Sequence, residues 1–267
     1  MTAGHKGGLW RGLWPGRPVA PKPKRASNRG REPGPEPTPV REVVQAWIAR
    51  ELETPASEAL DAVAAAAFAG PAGRARLAPL LARFEAEVGA LAPDDPDFDL
   101  MQVARMDWAL CDVPAEANGP PGDTWAWRVI HGRVAGVELE PTPLRQAAAR
   151  SLTGLFEVFP GEPTWVRDRM SGLILRLFDA VGPFPYADPN GPAAVWELRL
   201  VPDPSGGCFI ARPPIDYPLE LLETLDGAFA RRFSEAPWPA MQDLRRARLR
   251  YLRAGMRTPI ARMLRWR

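Results

Sequence analysis

The sequence predicts an α+β protein with a helical N-terminal half, a small antiparallel β-sheet or barrel-like unit, and basic C-terminal helices. Three observations predict it. Apolar residues recur at helical spacing from residue 40 to about 111. The period then switches to two between residues 155 and 212. Helical spacing returns from 219, now dense in arginine. The 267 residues are 46% apolar and 25% charged, which suits a folded chain with a sizeable core. These values exclude a coiled coil, a disulfide scaffold and a membrane protein. The longest apolar run, Ala62 to Ala69, falls short of the roughly 18 residues of a span. Gly, Pro and Arg interrupt the N-terminus, so no signal peptide is read there and a cytoplasmic protein is the expectation.

Residues 1–39 hold eight prolines and seven glycines, too little apolar surface to offset ordering, so a disordered basic tail is expected. Within it, Gly8-Leu9-Trp10-Arg11 is echoed by Gly12-Leu13-Trp14-Pro15, a pattern that could anchor on a membrane or nucleic acid or be idle. A helical region follows over 40–113. Val40, Val43, Val44, Trp47, Ile48 and Leu52 lie on one helical face. Leu60, Val63, Ala64, Ala67 and Phe68 form the next, and Leu77, Leu80, Leu81, Phe84, Val88 and Leu91 a third. A fourth helix is expected from about Phe98 to Cys111, deeply packed because it is apolar on more than one side. Thr38-Pro39, Thr54-Pro55, Thr142-Pro143 and Thr258-Pro259 each precede a helical pattern. Threonine capping with proline at the first helical position explains all four, without proline-directed phosphorylation.

A turn-rich loop over 114–123 separates the helical region from an α+β region over 124–267. That region opens with a short helix around Trp125 to Ile130 and another from Pro143 to about Thr153, ended by Gly154. Leu155 to Phe159 reads as the first strand. Met170-Ser171-Gly172 joins two more, Val195 to Val201 alternates cleanly, and Cys208 to Ala211 returns. The sheet is therefore expected over 155–212 and the basic helices over 219–266. Leu155-Phe156-Glu157-Val158, Val166-Arg167-Asp168, Ser171-Gly172 and Trp196-Glu197-Leu198-Arg199-Leu200-Val201-Pro202 resemble a strand–hairpin–strand module of uncharacterised bacterial proteins. Some of these carry a SEC-C zinc segment. Met106-Asp107-Trp108-Ala109-Leu110 resembles the helix that precedes the module. The resemblance covers about 100–215 and implies a small barrel-like unit but no activity. The SEC-C cysteine pattern is missing, so no zinc site is carried over.

The search for chemistry returns little. Cys111 and Cys208 are the only cysteines and read as free buried thiols. No phosphate-binding Gly-Lys-Ser/Thr occurs. His131 is the one histidine outside the tail, and nothing in the spacing joins it to Ser171 or Cys208. Asp95-x-Asp97-x-Asp99 matches the start of a calcium loop, but Leu100 and Met106 stand where Gly and Glu are needed. Acids favouring a helix N-terminus are the simpler reading for Asp94, Asp95, Asp97 and Asp99. No catalytic residue, metal site or cofactor is assigned, and a non-enzymatic protein is the favoured expectation.

Charge layout is the positive signal. The net +2 divides into +6 over 1–40, −13 over 41–244 and +9 over 245–267. The last block holds Arg245, Arg246, Arg248, Arg250, Arg253, Arg257, Arg262, Arg265 and Arg267, with Tyr251 and Trp266 interleaved. Such a helix could present guanidiniums to RNA or DNA, to an anionic membrane, or to an acidic protein partner or second copy. It could equally pair with the acidic body of its own chain.

Overall fold

The structure, a computed structural model, describes residues 54–178, 191–225 and 237–264, the side chains of Pro237 and Trp238 excepted. The tail over 1–39 and the helix expected over 40–52 lie outside the described residues. Helix α1 (Pro55–Phe68) starts on Thr54, whose hydroxyl accepts from the Ser57 N–H at 3.1 Å. One residue, Ala69, separates it from α2 (Gly70–Val88). The junction is tight, since a Cβ at Gly73 would stand 2.2 Å from the Phe68 carbonyl carbon. Helix α3 (Phe98–Asp107) runs into a π-helical turn over Trp108–Asp112. Because that turn bonds i to i+5, it brings residues five apart, Asp107 and Asp112, to one side. Trp108 and Leu110 are wholly buried on the others, as the all-round apolar pattern led one to expect.

Helices α4 (Trp125–Ile130) and α5 (Pro143–Ala148) are single short turns capped by Thr124 and Thr142. The expected helix over 143–153 thus stops at Ala148, and the expected sheet over 155–212 begins earlier, at Leu152. The reason is pairing: Leu152 and Thr153 already face Leu200 and Arg199 across a ladder. Gly154 lies inside that strand rather than closing a helix. Thr258 differs too, because α8 (Ile260–Met263) begins at Pro259 with no side-chain cap.

The sheet holds β1 (Leu152–Phe159), β2 (Trp165–Asp168), β3 (Ile174–Arg176), β4 (Ala194–Pro202), β5 (Cys208–Ile210) and β6 (Ile215–Tyr217). Its order is β3-β2-β1-β4-β5, all antiparallel, with β6 sharing the outer edge of β4 beside β5. β6 extends the sheet past the expected limit at 212. A bridge from Leu177 to Cys208, with the Phe178 N–H donating to the Cys208 carbonyl at 3.0 Å, curls β3 onto β5. The barrel-like expectation is met, as an antiparallel half-barrel. The curl needs Gly207, where a Cβ would lie 2.4 Å from the Phe178 ring.

The two faces of β1 and β4 do different jobs. Phe156, Val158, Trp196, Leu198 and Leu200 fill the barrel interior with Val166, Leu175 and Ile210. Leu155, Val195 and Val201 point outward into a second cluster built by the helices. That cluster runs from Ala56 to Ile260, so helices on both sides of 114–123 share one core. Helices α6 (Leu221–Leu225) and α7 (Pro237–Arg253) close it. Of the helical spacing expected from 219 onward, α6 is the first described piece, and 226–236 lie outside the described residues. Among the described residues no helix is long and apolar enough to cross a membrane.

Candidate functional site

Helix α7 carries much of the predicted arginine block, and its sequence alternates burial with charge. Ala240, Met241, Leu244, Ala247 and Leu249 are buried against the helical core, and so are Arg245, Arg246 and Arg248. The arginines of the block therefore separate into two groups. Arg245 is 1% exposed, and its Nε and a terminal nitrogen donate to Glu197 Oε1 at 2.9 and 2.5 Å. Arg246 donates to Asp243 and to the Glu87 carbonyl. Arg248 reaches the Asp216 carbonyl and Asp97. Arg253, at the helix end, holds both oxygens of Asp95 at 2.7 Å. The second group, Arg250, Arg257 and Arg262, is exposed and has no ion pair among the described residues. Arg265 and Arg267, with Trp266, lie outside the described residues. Arg245, Arg246 and Arg248 are buried and paired inside the chain, the internal pairing that the sequence left open, and so are enclosed away from an outside phosphate.

Two of the acids expected to favour the start of α3, Asp95 and Asp97, thus meet cations. Asp95 also accepts from the Ala92 N–H, and the Arg253 guanidinium lowers its pKa. Asp97 occupies a left-handed position at the start of α3 with no side-chain cap, its carboxylate turned to Arg248 instead.

Arg245 belongs to a larger polar layer between the outer face of the sheet and the helices. β4 contributes Glu197 and Arg199, β1 contributes Thr153 opposite Arg199, the end of α3 supplies Asp107 and the π-turn supplies Asp112. Arg199 donates to Asp112 at 2.5 Å and to Ser151 at 3.3 Å, with Asp107 at 3.7 Å. Arg212, just after β5, grips Asp107 through Nε at 2.9 Å and also reaches Asp61 and Ser57. Tyr217 of β6 donates to the second Glu197 oxygen at 3.2 Å. Burial works against the charge on Arg199 and Arg245, yet Asp112 and Glu197 hold both pKa values above the ordinary arginine value. Burial pushes Asp112 upward against the pull of Arg199. It pushes the Cys111 thiol beside it to about 12, which leaves no thiolate to act as a nucleophile at neutral pH.

Sequence alone does not reveal this layer, because strict alternation over 195–201 puts Glu197 and Arg199 on a face that hydropathy ranks as solvent-exposed. All residues from Ala194 to Val201 are buried. The available signal was Asp107 and Asp112 flanking the apolar run Trp108-Ala109-Leu110-Cys111. Carboxylates so placed need internal cations.

A cavity of about 30 Å³ sits in the layer, lined by Asp107, Thr153, Glu197, Arg199, Arg212 and Arg245, with Leu100, Val103 and Ile215 among its apolar wall. A substrate pocket needs roughly ten times that volume. The other candidate groups are occupied locally. His131 stacks on Trp127 at 4.3 Å, its Nδ1 2.8 Å from the Trp127 carbonyl. The Ser171 hydroxyl donates to Asp168, holding the β2–β3 turn. Among the described residues no three of His, Cys, Asp or Glu gather as metal ligands. Comparison with protein-family models, curated proteins and solved structures returns no match for this chain.

Proposed function

We propose that this protein is a non-enzymatic accessory protein that contacts nucleic acid through the open part of its arginine block, Arg250, Arg257 and Arg262. One observation carries the reading. The chain supplies acceptors for Arg245, Arg246, Arg248 and Arg253, yet the exposed Arg250, Arg257 and Arg262 have no ion pair among the described residues. Exposed guanidiniums on α7 (Arg250), on the segment after it (Arg257) and on α8 (Arg262) offer the charge-assisted donors that phosphate oxygens accept.

Binding of a labelled oligonucleotide at two salt concentrations tests this. Three phosphate contacts predict about a 40-fold loss of affinity between ~50 and ~200 mM salt. Arg250→Gln, Arg257→Gln and Arg262→Gln together should weaken binding and flatten that dependence. Absence of binding at low salt, or unchanged binding by the triple variant, overturns the reading. A second reading keeps the same residues but takes an acidic protein surface or a second copy as partner. It is supported by the chain's own habit of placing carboxylates on this block. Light scattering separates the two, since only the second expects an assembly that the triple variant loses.

A further inference from the structure

Helix α4 and the turn after it carry an aromatic stack that the core does not use. Trp127 is half-buried and joins neither apolar cluster. The His131 ring lies on its indole, with centroids 4.3 Å apart and planes 25° from parallel. His131 Nδ1 is 2.8 Å from the Trp127 carbonyl. A carbonyl only accepts, so Nδ1 carries the hydrogen, and Nε2 has no partner among the described residues. Gly132, at a φ of 63°, then turns the chain, and the Arg133 guanidinium comes to 4.4 Å from the centroid of the same indole. A Cβ built at Gly132 would meet nothing within 4 Å, so the space beside this turn is open. His131 and Arg133 are both exposed, and Arg133 has no ion pair among the described residues.

The chemistry of the stack selects its ligand. A ring held by a hydrogen bond and a stacking neighbour is a plane fixed in advance, so a second planar group adds to it at little ordering cost. Histidine rings and guanidinium planes are among the groups on which splayed bases stack. An unpaired nucleobase brings such a plane, together with a phosphate for Arg133. A base inside a duplex is covered on both faces, and an acidic peptide would leave the ring idle. The affinity comes from stacking rather than from excess charge, since Arg128 is matched by Asp123 and Glu116, and Asp123 also feels Arg133.

Helix α2 runs between this stack and the end of α7. Arg76, near its start, lies 5.3 Å from the ring centroid of Trp125 on α4. Ala90, just past its end, accepts from Arg253 at 2.7 Å. The 19 residues of α2 measure about 28 Å, the length of ~8 nucleotides at the stacked spacing of ~3.4 Å. We propose that the stack of His131, Trp127 and Arg133 binds an unpaired nucleobase, so that the nucleic acid contacted by Arg250, Arg257 and Arg262 is single-stranded. This rests on the reading of those arginines as a phosphate contact and specifies the strand form.

The full-length protein is titrated with a ~15-nucleotide single strand, with its blunt duplex, and with an abasic strand of that length. The single strand should bind wild type about 5-fold or more tighter than the abasic strand does. His131→Ala removes an exposed ring and should weaken single-strand binding by about 5-fold or more. Its binding of the duplex and the abasic strand should stay within about 2-fold of wild type. His131→Phe restores a ring and should restore most of the single-strand affinity. Single-strand binding unchanged in His131→Ala overturns the inference, and so does an equal loss with all three probes. If the triple glutamine variant loses that binding while His131→Ala keeps it, the surface-arginine reading survives alone. Wild type that binds no probe at ~50 mM salt overturns both.

Discussion

Asp216 shows how a single buried carboxylate sets a pH dependence. Burial raises its pKa from 3.8 to about 6, with Asp97 adding to the rise. Arg248 and the Trp196 indole N–H, which donates at 3.1 Å, oppose it. The folded chain therefore keeps this proton to a higher pH than the unfolded chain does. Its contribution to stability is fully present below about pH 4 and is lost as pH rises through 6. Asp216→Asn removes the charge while keeping an oxygen for Trp196. The variant should be more stable than wild type by up to about 2 kcal/mol at pH 7.5, and the gap should close toward pH 4. Urea melts at the two pH values measure this. An equal gap at both would show that the carboxylate is not strained by burial.

At the level of the element, α7 is fastened by ion pairs as well as by apolar packing, and the two respond differently to substitution. Arg245→Met leaves Glu197 buried beside Tyr217 with no guanidinium, at a cost of about 3–5 kcal/mol. Adding Glu197→Gln removes the stranded charge, so the double variant should recover most of that loss in chemical denaturation. Failure to recover would mean that Arg245 acts through its packing, including its position over the Phe84 ring. The same helix marks where sequence reasoning stops. Its helical character and the burial of Met241 and Leu244 follow from the 3.6-residue period. The fate of its arginines does not, because Arg245 meets Glu197 48 positions earlier and Arg248 meets Asp97 151 positions earlier. Periodicity ranks faces by hydropathy, and an arginine matched to a distant acid ranks as solvent-exposed. The strands were legible from short β-favouring runs bounded by turn residues, as where Met170-Ser171-Gly172 joins β2 to β3. β6, Ile-Asp-Tyr, alternates over only three residues, too few to establish a period, and it is fixed by its pairing with β4.

For the whole molecule, the segregation of charge along the chain is a fastening device. The acidic middle supplies Asp95, Asp97 and Glu197, and the basic end closes on them through Arg253, Arg248 and Arg245. Segments that look like separate charged blocks in sequence are brought together across one core, and each partner lowers the cost of burying the other. This decides how the surface arginines can be tested. Truncation after Leu244 removes the basic end but also removes Ala247, Leu249 and Ile260, all buried, and strands three carboxylates. Such a chain should lose its cooperative thermal transition and its near-ultraviolet circular dichroism, so loss of binding by it says nothing about contact residues. The triple glutamine variant at Arg250, Arg257 and Arg262 touches only exposed side chains, and its stability should stay within about 0.5 kcal/mol of wild type for each substitution. Circular dichroism melts of the two proteins side by side settle the matter. A truncated chain that melts cooperatively at the wild-type temperature would show that the C-terminal segment is not part of the core. The arginine pairs seen here would then contribute little to holding the acidic body together.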